Sequence, residues 1–201
     1  MRNKSSVAGL LVLVALGTSA CSKPPEQAMQ AGTAALEAAR AAGAETYATD
    51  AFQKAQDLLN RAEAEMKTQD EKFVLFRSYK DSAALYTQAA AELTAASQAA
   101  AAGKEQARAD ATLAVESAKT ALAAAGDALA TAPRSKDSRA DLDLWANDLS
   151  TYATTVSEAE AAIASEDYVG ARAKAESVTA KATEISTSIQ AAIDKVKADG
   201  R

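Results

Sequence analysis

The chain has 201 residues, a single cysteine, no histidine and a formal net charge of −5. It is 48% hydrophobic but only 4% aromatic, because alanine supplies most of the apolar residues. This inventory excludes histidine-based triads and histidine metal sites, and one cysteine excludes an intramolecular disulfide. No basic run interleaved with aromatics is present, so the acidic chain lacks the footprint of a nucleic-acid binder. Alanine buries little area per residue, which disfavours a large core with a deep pocket and favours thin bundles or coiled coils with a narrow apolar seam.

Residues 1–20 read as an export signal. Arg2 and Lys4 form a positive start, Val7 to Leu16 form an apolar stretch, and Gly17-Thr18-Ser19-Ala20 follows. The stretch is about ten residues, half of the roughly 20 that span a bilayer, so a permanent membrane span is disfavoured. The segment resembles a lipoprotein signal, in which small residues precede a cysteine that is lipidated and becomes the first mature residue. Ser19 and Ala20 fit, whereas Thr18 stands where a branched apolar residue is usual. Ordinary cleavage after Ala20 is the alternative, and it would leave Cys21 as a lone exported thiol. Cys21 is therefore the expected lipidation site, with the membrane as its partner; more than one acyl chain is needed for stable anchoring. Ser22 follows in place of an aspartate, which by resemblance to lipoprotein sorting rules favours the outer membrane, facing the periplasm. Without Arg2 and Lys4 the mature charge becomes −7.

The mature chain reads as all-α, as elongated antiparallel helical hairpins or a coiled-coil-like bundle. Residues 21–48 hold the lipidated N-terminus, a Pro24-Pro25 linker and a short helix from Glu26 to Ala42, stopped by Gly43. Residues 49–131 form a first hairpin. Its leading helix begins near Asp50, with Asp50 as cap and Gln53 completing a capping box, and carries the stripe Phe52, Ala55, Leu59, Ala62 and Met66. The polar run Lys67 to Lys72 reads as a turn. The returning stripe takes Phe76, Tyr79, Ala83, Tyr86, Ala90 and Leu93, then Ala111, Val115, Ala118, Leu122, Ala125 and Leu129. If unbroken from Lys72 to Thr131, this would be one very long helix, with bends possible at Gly103 and Gly126. Residues 132–138, with Pro133, are a connection, and Ser138 with Asp141 resembles a helix start. Residues 139–198 form a second hairpin, with stripes Leu142, Trp145, Leu149, Tyr152, Val156, Ala159, Ile163 and then Ala171, Ala175, Val178, Ala182, Ile185, Ile189, Ala192, Val196.

The hairpins read as copies. Ala62 to Asp70 aligns with Ala159 to Asp167 at an offset of 97, and skipping Glu71 and Lys72 then pairs Phe73-Val74 with Tyr168-Val169, and Arg77 with Arg172. In this reading the aspartate marks the turn and the aromatic plugs the hairpin end. Ala38 to Ala48, Phe52 to Met66 and Glu166 to Arg172 also resemble an alanine-rich helical domain of unknown function in bacterial envelope lipoproteins, sometimes found ahead of OmpA-like domains. The first turn is longer and more charged than that family's glycine-aspartate-tyrosine corner. The resemblance implies a helical envelope protein with no assigned activity, and no OmpA-like domain follows.

No motif carries recognisable chemistry. Glu63 and Glu65, or Glu158 and Glu160, lie two apart and so point to different helix faces. Asp137, Asp141 and Asp143 lack the spacing and central glycine of a calcium loop and suit a helix N-terminus instead. No glycine-rich phosphate loop is present. Trp145, Tyr152, Phe73, Phe76, Tyr79 and Tyr86 read as seam packing. The chain ends Ala198-Asp199-Gly200-Arg201 without the terminal lysine by which Braun-type lipoproteins attach to peptidoglycan, so no covalent peptidoglycan link is implied. The expectation is a lipid-anchored structural or interaction protein of the envelope, neither an enzyme nor dependent on a cofactor, that meets an envelope protein or a second copy of itself. The alternative is a periplasmic binding or chaperone-like protein whose amphipathic hairpins cover an apolar ligand or client.

Overall fold

A computed structural model describes residues 23–134 and 139–199. The protein is all-α: among the described residues there are six α-helices, one 3-10 turn and no strand. The helices are α1 (Glu26–Ala41), α2 (Ala44–Tyr47), α3 (Thr49–Asp70), α4 (Lys80–Thr131), α5 (Arg139–Ala164) and α6 (Tyr168–Asp199), with the 3-10 turn Val74–Phe76 between α3 and α4. They pack as helical bundles in two compact units. Among the described residues, one comprises 23–41 together with 49–96; the other comprises 42–48, 97–134 and 139–199.

In the first unit α1, α3 and the start of α4 meet. The Pro25 carbonyl accepts from the Met29 N–H at 3.0 Å, so the proline occupies the helix entrance, where its own missing N–H costs nothing. Gly32 marks the closest approach of α1: a Cβ there would lie 3.0 Å from Leu59 Cδ2 of α3 and 3.4 Å from Tyr86 Cδ1 of α4. Gly43, at φ 77°, turns the chain between α1 and α2, a backbone conformation for which glycine pays no Cβ penalty. α3 buries Phe52, Ala55, Leu59 and Ala62 on one face, as its three-and-four spacing requires. It begins at Thr49, so Asp50 lies inside the first turn and is not the cap. There its charge still complements the positive end of the helix dipole.

α4 runs 52 residues without interruption, but it starts at Lys80 and not at Lys72. Its buried side in the first unit is Ser82, Tyr86, Ala89, Leu93 and Ala96, preceded by Tyr79. Ser82 and Ala89 thus occupy the interior positions expected for Ala83 and Ala90, which are half-buried. Ser82 is tolerated because its hydroxyl donates to the Tyr79 carbonyl at 3.0 Å. Gly103 does not interrupt the helix. The helix passes so close to the backbone carbonyl of Tyr47 that a Cβ at 103 would overlap it, whereas Gly126 faces open space.

In the second unit α4, α5 and α6 close around shared clusters. Val115 and Ala118 of α4 pack with Val156 and Ala159 of α5 and with Ala175 and Val178 of α6. Ala125, Leu142, Ala182, Ile185 and Ile189 continue the core, with Trp145 and Leu149 half-buried against it. Ala192 is half-buried and Val196 exposed, so the expected α6 seam is buried only as far as Ile189. Ser138, expected to start α5, lies outside the described residues.

The aromatic pairing between the two hairpin turns needs correction. Phe73 is 67% exposed, whereas Tyr168 is 6% exposed, so Phe73 does not plug a hairpin end as Tyr168 does. Tyr79, at 2%, takes that place. From Tyr79 onward the buried positions 79, 82, 86, 89, 93, 96 and 100 recur 89 residues later at 168, 171, 175, 178, 182, 185 and 189. Before the turn the relation is 97, with Leu59 and Ala62 against Val156 and Ala159. The difference is eight residues, Glu71 to Ser78, which the first turn has and the second lacks.

Candidate functional site

Cys21, the expected lipidation site, lies outside the described residues. Lys23, the first described residue, is followed by Pro24 and Pro25, and these line a groove of about 720 Å³ with Tyr79, Lys80 and Ala83. The described chain therefore begins at the end of the first unit at which α3 passes into α4.

That end carries the eight-residue excursion. α3 stops at Asp70, the 3-10 turn covers Val74 to Phe76, and α4 resumes at Lys80. The base of the excursion is tied shut. Tyr79 donates its hydroxyl proton to the Asp70 carboxylate, which pushes the Tyr79 phenol above its ordinary value, helped by desolvation. Arg77 donates from Nη2 to the Asp70 carbonyl at 2.7 Å and from Nε to the Lys72 carbonyl at 2.9 Å. Buried Gln69 accepts from the Ser78 N–H at 3.1 Å and donates to Glu65 at 2.7 Å, so its amide is satisfied at both ends. Above this base Phe73, Val74, Leu75 and Phe76 are 67, 51, 80 and 75% exposed. Phe73 and Phe76 are therefore not seam residues, because the helix that would have turned them inward begins only at Lys80.

The opposite numbers in the second unit form a tight corner. Asp167 accepts from the Gly170 N–H at 3.0 Å, capping α6. At the end of α5 the Asp167 N–H reaches the Ala162 carbonyl at 2.9 Å and the Glu166 N–H the Ile163 carbonyl at 3.1 Å, a Schellman arrangement. Its left-handed position is filled by Glu166 at φ 65°, not by glycine. Glu166 is held from two sides: Lys104 of α4 donates to its carboxylate at 2.7 Å, and the Tyr47 hydroxyl donates to its carbonyl at 3.3 Å. The Lys104 hydrogen bond lowers the Glu166 carboxyl and in turn raises the Lys104 ammonium.

Of the carboxylates considered for chemistry, Glu65, Glu158 and Glu160 are engaged structurally, and Asp137 lies outside the described residues. Glu158 accepts from Lys174 of α6 at 2.9 Å and Glu160 from Lys119 of α4 at 2.8 Å, so the two are drawn to different helices. Lys119 also donates to Glu116 at 2.9 Å, and the two carboxylates raise its ammonium above the ordinary value, Glu160 more than Glu116. A groove of about 460 Å³ beside Leu113 contains Arg172, but this guanidinium already pairs with Glu176 at 2.7 Å and Asp110 at 3.3 Å. Among the described residues no group of three acidic or cysteine side chains is placed to hold a metal ion. No helix among them is long and apolar enough to cross a membrane.

No protein family, curated protein or solved structure matches this chain. Gln69, Arg77 and Tyr79 were not anticipated as a connected group. A sequence signal for Tyr79 exists nonetheless: it precedes the spacing Ser82, Tyr86, Ala89 as Tyr168 precedes Ala171, Ala175, Val178.

Proposed function

We propose that this is a lipid-anchored structural and interaction protein of the bacterial cell envelope, held at the membrane through Cys21 and presenting helix faces to an envelope protein or to a second copy of itself. The observation that carries this reading is the placement of the only cysteine directly after a charged start, a ten-residue apolar stretch and four small or hydroxylated residues. Placement on the outer membrane, facing the periplasm, belongs to the same proposal and rests on Ser22. The resemblance to alanine-rich envelope lipoproteins points the same way. The matching buried series, 89 residues apart after the turns and 97 before them, support a duplicated hairpin whose first copy gained the segment Glu71 to Ser78. Helices that meet through alanine and a few larger aliphatic residues approach closely and leave their outer faces for contact.

Metabolic labelling with radioactive palmitate tests the anchor. The wild type incorporates label and Cys21→Ser does not; equal labelling would remove the basis of this reading. The periplasmic binding alternative has one observation in its favour, the exposed Phe73–Phe76 run. A hydrophobic dye separates the two: a client-covering protein brightens it across many sites, whereas here the residual signal disappears with Phe73→Ser/Phe76→Ser.

A further inference from the structure

Phe73 to Phe76 is the only run of consecutive large apolar side chains that is exposed among the described residues; Leu113, Leu144, Val169 and Val196 stand singly. Contiguous apolar patches larger than a few hundred Å² are rare on monomers, and the largest patch a monomer carries is often functional. The run is not needed to reverse the chain, since α5 passes to α6 through Ser165 to Asp167 alone. Nor is it a loose connection, because Asp70, Arg77, Tyr79 and Gln69 clamp its base.

Three features identify what covers it. First, the tip is a single 3-10 turn that pairs part of its own backbone, Phe76 N–H donating to the Phe73 carbonyl at 2.8 Å and Arg77 N–H to the Val74 carbonyl at 3.5 Å. Partial closure suits a segment lying at the wet boundary between headgroups and acyl chains, and not one sunk into hydrocarbon. Second, Lys23 shares a groove with Tyr79 and Lys80, and Cys21 is two residues before Lys23. At about 3.5 Å per residue, Cys21 lies within about 7 Å of Lys23 along the chain. A lipid on Cys21 is thus attached at the end that bears the apolar turn. Third, four side chains are too small an interface for a stable dimer, which takes about 800 Å² from each partner. A bilayer sets no such minimum, and exposed Lys72 and Lys80 flank the run as interfacial lysines do.

We propose that Phe73–Phe76 is a membrane-docking tip, which inserts into the bilayer that holds the Cys21 lipid. This rests on the anchored reading of Cys21. The acyl chains supply retention; the tip supplies orientation, setting the ends of α3 and α4 against the surface.

The test uses the mature lipidated protein in vesicles of phosphatidylethanolamine and phosphatidylglycerol with brominated acyl chains. Trp145→Phe/Leu75→Trp carries the probe and Trp145→Phe/Leu113→Trp the control, both checked for helical content. At the depth of about 5–10 Å reached by interfacial segments, the Leu75→Trp fluorescence shifts to the blue and falls about twofold, while the Leu113→Trp signal does not change. An unquenched Leu75→Trp probe in protein that carries lipid and floats with the vesicles overturns the docking tip and leaves the anchor standing. Quenching without palmitate label overturns the anchor alone and leaves a peripheral tip. A blue shift that appears without vesicles and grows with protein concentration assigns the run to a second copy, and the membrane tip falls.

Discussion

Glu166 shows how one residue can combine backbone strain with a compensating contact. A left-handed backbone costs an L-residue about 1–2 kcal/mol relative to glycine, and here the carboxylate that glycine would lack meets Lys104 at 2.7 Å. The pair is exposed, so its own worth is small. Its pH signature is still directional. The Glu166 carboxyl is lowered below its ordinary value near 4.5, so its contribution is complete above that pH and is lost as pH falls through the lowered folded value. Thermal melts of wild type and Glu166→Gln should therefore differ most at neutral pH, with the wild type more stable, and converge below pH 4.5. A gap that widens in acid would contradict this assignment.

At the scale of elements, Gly103 and Gly126 are equivalent as helix-interior glycines in sequence and opposite in structure. A methyl at 103 meets the Tyr47 carbonyl, so Gly103→Ala should destabilise by about 1–3 kcal/mol, the usual cost of overpacking. A methyl at 126 meets nothing within 4 Å, so Gly126→Ala should stabilise by about 0.5–1 kcal/mol through helix propensity and a less flexible unfolded chain. Urea denaturation of the two variants measures both signs. The excursion gives a further element-scale expectation. Deleting Glu71 to Ser78 joins Asp70 to Tyr79 as Asp167 joins Tyr168, so the bundle should keep its helical circular dichroism. The three lost Arg77 and Ser78 hydrogen bonds, at about 1 kcal/mol each, should lower the melting temperature by about 6–12 °C, at about 2–4 °C per kcal/mol for a chain of this size. Collapse of the helical signal would show instead that the loop organises the hairpin.

At the scale of the whole molecule, stability rests on seams and not on charge. Leu93, Ile189 and Val178 are the largest side chains fully buried, no buried side-chain polar atom among the described residues lacks a partner, and the ion pairs lie at the surface. Raising salt to 1 M should therefore move the melting temperature by less than about 3 °C, since exposed pairs are weak and screened. A much larger fall would place the stabilisation in the ion pairs. The all-α class, the extent of α1 and the faces of α3 and α6 through Ile189 were legible in the sequence, because a 3.6-residue period with sparse glycine and proline admits few other structures. The proposed export signal and lipidation of Cys21 rest on the sequence alone, because processing would read the unfolded chain and the relevant information is local. The turn between α3 and α4 was not legible. Its Phe-Val-Leu-Phe run satisfies every local preference for a seam, and only the point at which α4 begins decides that these side chains face outward. That point is set by contacts nine residues apart, Asp70 with Tyr79 and Gln69 with Ser78, and by the α1 and α3 surfaces on which Tyr86 must land. Gly103 is the same case, since a helix seen alone gives no sign that another segment's carbonyl lies against it. Periodicity thus determined which faces are apolar, and packing decided which apolar residues are buried, because burial requires a partner surface that one helix cannot specify.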